Sequence, residues 1–190
     1  MSAHREVIED AFNQQLKRIE DPLLRSKVVD IWVATAERGG WKAVEMGKIP
    51  FTLLIDPKGI SLIEHTIAVT EGALGLAKAM KGNYRRMPFE IKFDWLIAGG
   101  LLHDVGKLLE IERSGSEYRR SHSGRCVRHP ISGAIVVAQA GLPEEIVNIV
   151  ACHSKEGEGR PQRIETVLIH QADFALYDPM AMMEKGLLIT

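Results

Sequence analysis

Trp95-Leu96-Ile97-Ala98-Gly99-Gly100-Leu101-Leu102-His103-Asp104-Val105-Gly106-Lys107 decides the fold class of this 190-residue chain. The stretch from Trp95 to Leu102 carries no charge and reads as a buried helix, yet His103 and Asp104 close it. Burying an imidazole and a carboxylate together is costly unless each finds a partner. A divalent cation is one such partner, and a hydrogen-bonded ion pair is the other.

Further metal-competent side chains stand at the edges of other helix-like segments. His65 lies in Ser61-Leu62-Ile63-Glu64-His65-Thr66-Ile67-Ala68-Val69, and His129 precedes Pro130 at the head of Ile131-Ser132-Gly133-Ala134-Ile135-Val136-Val137. His153 closes Ile146-Val147-Asn148-Ile149-Val150-Ala151-Cys152, and Asp173 sits in Val167-Leu168-Ile169-His170-Gln171-Ala172-Asp173. Each histidine alone reads as a core or capping residue. The order His, His-Asp, His, His, Asp along one chain favours the cation. Neutral imidazoles with carboxylates suit zinc, iron, manganese, nickel or cobalt, and the set is richer in nitrogen than magnesium or calcium prefers.

Helical spacing runs through the rest of the chain. Val7, Ile8, Ala11, Phe12, Gln15 and Leu16 predict an amphipathic first helix. Asp21-Pro22 opens a second, which stops at Arg38-Gly39-Gly40. Together they form an N-terminal helical extension over residues 1–40. Residues 47–60 are the least helical, with a short extended segment near 49–56 that reads equally as strand or loop. Ser61 and Glu64 form a capping box for the helix carrying His65, which runs to Lys81-Gly82-Asn83. Pro88 opens the helix of the His-Asp pair, residues 112–129 read as a polar loop, and Pro130 and Pro143 head two more helices. A break over residues 155–159 precedes a last long helix starting near Glu165. The expected fold is all-α, a compact bundle of about 7–9 helices, in one domain over residues 1–190 with a metal-binding core at 60–178. Residues 185–190 are expected to fray, and His4 to be disordered.

On these residues the chain resembles the HD-domain superfamily of metal-dependent phosphohydrolases. His65, His103-Asp104 and Asp173 match its His…His-Asp…Asp pattern, and His129 and His153 match the subset that holds two metals. Lys107 extends the match to the His-Asp-x-Gly-Lys form common in that subset. The resemblance implies that His65, His103, Asp104 and Asp173 bind one divalent transition metal, and that Asp104 bridges to a second held by His129 and His153. It also implies phosphoester hydrolysis. Two metals roughly 3.5–4 Å apart lower the pKa of a water from about 16 to about 7 and hold the hydroxide for in-line attack on phosphorus. Asp104 and Lys107 are then the catalytic residues. Cys152-His153-Ser154-Lys155-Glu156-Gly157 is similar to the His-His-Glu segment of the cyclic-dinucleotide branch but has one His where that branch has two. Gly159-Arg160-Pro161 stands in place of its Gly-Tyr-Pro signature, so that substrate is not assigned.

Lys107, one turn beyond His103, reads either as a clamp on a small anionic phosphorylated substrate or as a helix-end lysine complementing the dipole. Arg113, Arg119, Arg120, Arg125 and Arg128 crowd the stretch between two ligands. Guanidinium forks suit phosphate oxygens, so Arg119, Arg120, Arg125 and Arg128 are the expected substrate anchors, against the alternative of a solvated basic loop. His122 has a lesser claim on substrate, His170 reads as packing beside Asp173, and Glu64 as solvated. The same six ligands also serve a mixed-valent di-iron oxygenase cleaving a C–C or C–P bond, or a non-enzymatic metal-binding sensor. Metal identity separates the oxygenase from the hydrolase, and the presence of Lys107 argues against the sensor.

Composition is that of an ordinary globular protein, 45% hydrophobic and 26% charged. A net charge of -1 gives no global drive toward nucleic acid or membrane, and 6% aromatic residues offer no evident base-stacking cluster. No apolar run reaches the roughly 18 residues of a membrane span, and the polar start predicts no signal peptide; a cytoplasmic location is expected. Cys126 and Cys152 imply no disulfide framework. The amphipathic N-terminal pair can pack on its own domain or on a second copy, as a homodimer.

Overall fold

The computed structural model describes residues 2–155 and 162–189. At its centre lies α5 (Phe93–Leu102), in which every residue from Leu96 to Leu102 is buried. A helix apolar on all sides belongs inside a bundle. Gly99 and Gly100 let neighbours close on it: a Cβ on Gly99 would meet the Ile149 side chain at 2.5 Å, and one on Gly100 would meet Thr70 Oγ1 at 2.7 Å. Those neighbours belong to α9 (Glu144–Cys152) and α4 (Leu62–Asn83). α10 (Ile164–Glu184) packs across α4 and α5, and α8 (His129–Gln139) lies along α9. Among the described residues, seven helices of nine residues or more and three single turns make the predicted all-α bundle. No described helix is long and apolar enough to cross a membrane.

α4 starts as its sequence dictates. Ser61 Oγ accepts from Glu64 N at 3.2 Å, and the Glu64 carboxylate accepts from Ser61 N at 2.8 Å. The extension at residues 1–40 contains three helices rather than two: α1 (Ala3–Ala11), the single turn α2 (Asn13–Leu16) and α3 (Pro22–Arg38). The break falls at Phe12, whose buried ring meets Trp32 edge-on at 5.1 Å. His4, expected to be disordered, places Nε2 2.8 Å from the Trp41 carbonyl. The extension packs on its own bundle, its Ile8, Phe12, Val28 and Trp32 joining the central apolar cluster.

Trp32 ties this extension to the His-Asp segment, because its indole Nε1 donates to the Leu101 carbonyl at 2.8 Å. Trp32→Phe leaves that buried carbonyl unmet and vacates part of the ring volume. The expected cost is about 2–4 kcal/mol, read as a lowered urea midpoint with an unchanged denaturant slope.

Two stretches differ from their sequence reading, and a third decides between two open readings. Residues 112–129 are a hairpin and a helical turn, not a loop. β1 (Ile111–Ser114) pairs antiparallel with β2 (Glu117–Arg120), and Ser121 caps α7 (His122–Cys126). Gly115-Ser116 supplies a two-residue link with Gly115 at φ 65, the turn a hairpin needs. Residues 49–56, read equally as strand or loop, are a loop. A 3-10 turn (Ala43–Lys48) leads to one isolated bridge, Pro50 to Ser61, and proline lacks the donor a ladder requires. The helix expected to open at Pro88 begins at Phe93, where Lys92 N donates to buried Glu165 at 2.8 Å. The predicted break beyond Lys155 and the Gly159-Arg160-Pro161 stretch lie outside the described residues.

Candidate metal centre

Four helix ends and one helix interior converge on Asp104. His103 and Asp104 follow α5, His65 lies in the first turn of α4, His129 opens α8, His153 follows α9, and Asp173 lies midway along α10. The Asp104 carboxylate, 1% exposed, divides its oxygens between two sides. Oδ2 lies 3.3 Å from His103 Nε2 and 3.6 Å from His65 Nε2. Oδ1 lies 3.2 Å from His129 Nε2 and 3.6 Å from His153 Nε2. Asp173 joins the first side, its Oδ1 3.0 Å from His65 Nε2. Within each trio, His65/His103/Asp104 and Asp104/His129/His153, the donor atoms lie within 4.8 Å of one another. All six residues expected as ligands are therefore brought together.

The donor chemistry fits divalent metals. His103 Nδ1 is 2.6 Å from the Gly100 carbonyl, and His153 Nδ1 is 2.8 Å from the Val150 carbonyl. A carbonyl only accepts, so each Nδ1 carries a proton and each Nε2 is aimed inward as the ligating atom. Five buried polar atoms lack a hydrogen-bond partner among the described residues, and three of them are His103 Nε2, Asp104 Oδ1 and His153 Nε2. Leaving such atoms unmet costs about 1–3 kcal/mol each. A pair of cations satisfies all three.

Electrostatics agree. Burial pushes Asp104 up, but Lys107, whose Nζ is 2.6 Å from Oδ2, and His103 outweigh it and hold the carboxyl well below the usual range. Burial also opposes ionisation of Asp173, and the hydrogen bond with His65 prevails, lowering it to about 2. Burial lowers His65 and His129, which favours the neutral rings a metal requires. His103 is drawn upward against its burial by the Asp104 charge.

His65, His129 and Asp173 form part of the wall of a cavity of about 640 Å³. Lys107, Arg120, Arg128 and Lys155 bring positive charge to that wall, and Phe51, Leu53, Phe174 and Tyr177 bring apolar surface. Lys107 is the first residue of the single turn α6 (Lys107–Glu110). Its ammonium sits on Asp104 and 5.8 Å from the centre of the Phe51 ring. Arg119 and Arg125, expected beside substrate, are not among the wall residues. Arg119 Nε donates to Glu112 at 2.8 Å, as alternation along β2 turns it to the face opposite Arg120. Arg125 donates to the Arg120 carbonyl at 3.4 Å. Exposed His122 places Nε2 3.9 Å from Cys126 Sγ, and His170 donates from Nδ1 to the His153 carbonyl at 2.7 Å. Cys126 and Cys152 form no disulfide among the described residues.

Glu110 is absent from the sequence-based set, although it lines the same cavity. Its Oε2 accepts from His129 N at 2.6 Å and faces His129 Nδ1 at 2.9 Å, while Oε1 accepts from Arg128 Nε at 3.0 Å. Burial opposes its ionisation, but His129 and Arg128 lower the carboxyl to about 2.

The HD-domain family model matches residues 62–174. Among curated proteins, dihydroneopterin 2',3'-cyclic phosphate phosphodiesterase of Methanocaldococcus jannaschii is 33% identical over 115 residues, 60% of this chain and 45% of that protein. Ribonuclease Y of Thermotoga maritima is 30% identical over 115 residues, 60% of this chain and 18% of that protein. Ribonuclease Y of Thermosipho melanesiensis is 37% identical over 75 residues, 40% of this chain and 12% of that protein. The chain thus spans less than half the length of these relatives. No solved structure gives a significant match. The matched stretch takes in more than half of the chain and runs from three residues before His65 to one beyond Asp173; the chain belongs to the HD-domain family.

Proposed function

We propose that this chain is a metal-dependent phosphohydrolase that cleaves a small phosphoester or nucleotide at a dinuclear site, with residues 1–190 acting as one domain. The observation that carries this reading is the division of the Asp104 carboxylate, one oxygen toward each pair of imidazoles, beside a cavity edged by Lys107, Arg120 and Arg128. His65, His103, Asp104 and Asp173 hold one divalent transition metal, and Asp104, His129 and His153 hold a second, drawn from iron, manganese, nickel, cobalt and zinc. When bound, the pair supplies Lewis acidity toward a phosphoryl oxygen and a water acidified toward neutral pH. The chain's own residues orient the substrate. Lys107 and the two guanidinium groups turn donors toward phosphoryl oxygens, and Phe51, Leu53, Phe174 and Tyr177 keep bulk water from the remainder of the molecule.

Relatives named for a cyclic phosphate and as ribonucleases support a phosphoester as the bond cleaved. A small substrate is favoured over a nucleic-acid chain because the hairpin's outer charge is already neutralised, Arg113 by Glu45 at 3.0 Å and Arg119 by Glu112 at 2.8 Å. The test is phosphate release from a panel of phosphoesters and nucleotides by metal-stripped protein before and after metal is restored. Release only after restoration is the expected result. Oxygen uptake without phosphate release, or no metal uptake at all, overturns the reading.

Lys107→Gln separates catalysis from metal holding. The variant is expected to keep its metal content while kcat/KM falls on the order of 10²-fold, the scale of removing one donor from a developing anion. Elemental analysis beside steady-state kinetics checks both halves.

A further inference from the structure

Resting on the two-metal reading above, we infer that Glu110 is the positioning residue that prepares His129, and with it the second metal position, for binding. Of the four buried imidazoles around Asp104, those of His103, His153 and His129 are not oriented in the same way. His103 and His153 each follow the last turn of a helix, and each Nδ1 donates to a carbonyl three residues back, Gly100 at 2.6 Å and Val150 at 2.8 Å. Such carbonyls have no partner inside their own helix, so a helix end supplies the acceptor without further design. His129 is the first residue of α8 and has no preceding turn of its own helix to turn to. Its acceptor must come from elsewhere in the chain.

Glu110 supplies it. The α6 turn carries Lys107 at one end, on Asp104 Oδ2, and Glu110 at the other, behind His129. Oε2 takes both the backbone N of His129 at 2.6 Å and its Nδ1 at 2.9 Å, fixing the ring at two points. An ionised carboxylate donates nothing, so the Nδ1 holds the proton and Nε2 is turned toward Asp104 Oδ1 at 3.2 Å. The remaining oxygen is held by Arg128 at 3.0 Å, with Arg120 at 3.6 Å, which keeps the buried charge paired. A carboxylate behind a ligating imidazole fixes its tautomer and raises its basicity, and loss of such a partner costs 10- to 100-fold in metal affinity.

The experiment compares wild type, Glu110→Gln, Glu110→Ala and Arg128→Ala, each purified without chelator and followed by elemental analysis and by competition with a chromophoric chelator. Wild type is expected to hold two metals per chain and Glu110→Ala about one. Glu110→Gln keeps an acceptor but not the charge, and should release one metal at a chelator concentration 10- to 100-fold lower while the other is unmoved. Arg128→Ala removes the ion pair but leaves His129 its acceptor, and should keep both metals. Unchanged affinity for both metals in the two Glu110 variants overturns the inference and leaves the two-metal reading standing. Equal loss of both metals from Glu110→Gln makes Glu110 a general prop of the fold and also overturns it. Fewer than two metals in wild type overturns the two-metal reading and the inference with it.

Discussion

Asp104→Asn is expected to abolish metal-dependent phosphate release and to leave less than one metal per chain. The reason is that one carboxylate serves both sides of the cluster. Oδ2 faces His65 and His103, and Oδ1 faces His129 and His153. An amide keeps the shape but offers one ligating oxygen in place of two, and its NH₂ turns two protons toward one pair of imidazoles. It also removes the negative charge that offsets Lys107, whose side chain is 13% exposed. One metal position therefore loses its ligand, the other keeps only a neutral oxygen, and both face an unneutralised cation. The activity loss should reach about 10³-fold or more, at or beyond the scale of deleting a single electrostatic stabiliser. Asp173→Asn is the informative contrast. Asp173 touches only the His65 side, so that variant should lose one metal and retain the other. Elemental analysis of both variants decides the matter, and equal losses from the two would remove Asp104 from its shared position. Because metals bind only the folded state, Asp104→Asn protein should also unfold at the midpoint of chelated wild type.

Most of this centre is legible in the sequence because a metal site leaves chemical traces that periodicity does not. His103 and Asp104 interrupt an apolar run that has no structural use for them, and the helix ending there is what the structure contains. Helix caps are equally legible, as Ser61 and Glu64 show, because capping depends on residues three apart in the chain. The hairpin at 111–120 is hidden. Its strands are four residues each and largely exposed, so polar side chains mask the alternation, and only Gly115 marks the turn. Glu110 is hidden for a different reason. A carboxylate in a helical turn carries no sign of its target, and His129 lies nineteen residues away across that hairpin. Which arginines reach the cavity is likewise decided by strand facing: Arg120 lines the wall and Arg119, its neighbour, pairs with Glu112.

Gly106→Ala is expected to destabilise the fold and release the metal held by His129, although the substitution adds one methyl group. Gly106 has φ -62 and ψ -20, an ordinary right-handed conformation open to any residue, so backbone freedom does not explain the glycine. Space does. A Cβ there would lie 2.1 Å from the His129 carbonyl oxygen, 2.7 Å from Gly133 N and 2.8 Å from Ser132 Oγ. Two of those atoms are backbone in the first turns of α8 and cannot swing aside as a side chain would. Either α6 or the head of α8 must move, and His129 moves with the latter. Overpacking costs about 1–3 kcal/mol and more where neighbours are rigid, so a loss of about 3 kcal/mol is expected in urea unfolding. Gly75→Ala supplies the counterpart. That glycine lies within α4 with nothing near its missing Cβ, so alanine there should raise stability by about 0.5–1 kcal/mol. Opposite signs at the two positions, with metal loss only at Gly106, would show that the glycine of the His103-Asp104-Val105-Gly106-Lys107 stretch keeps α6 close enough to α8 for one carboxylate to face both sides of the cluster. A neutral Gly106→Ala variant with full metal content would show that α8 yields freely and that the glycine has no such part.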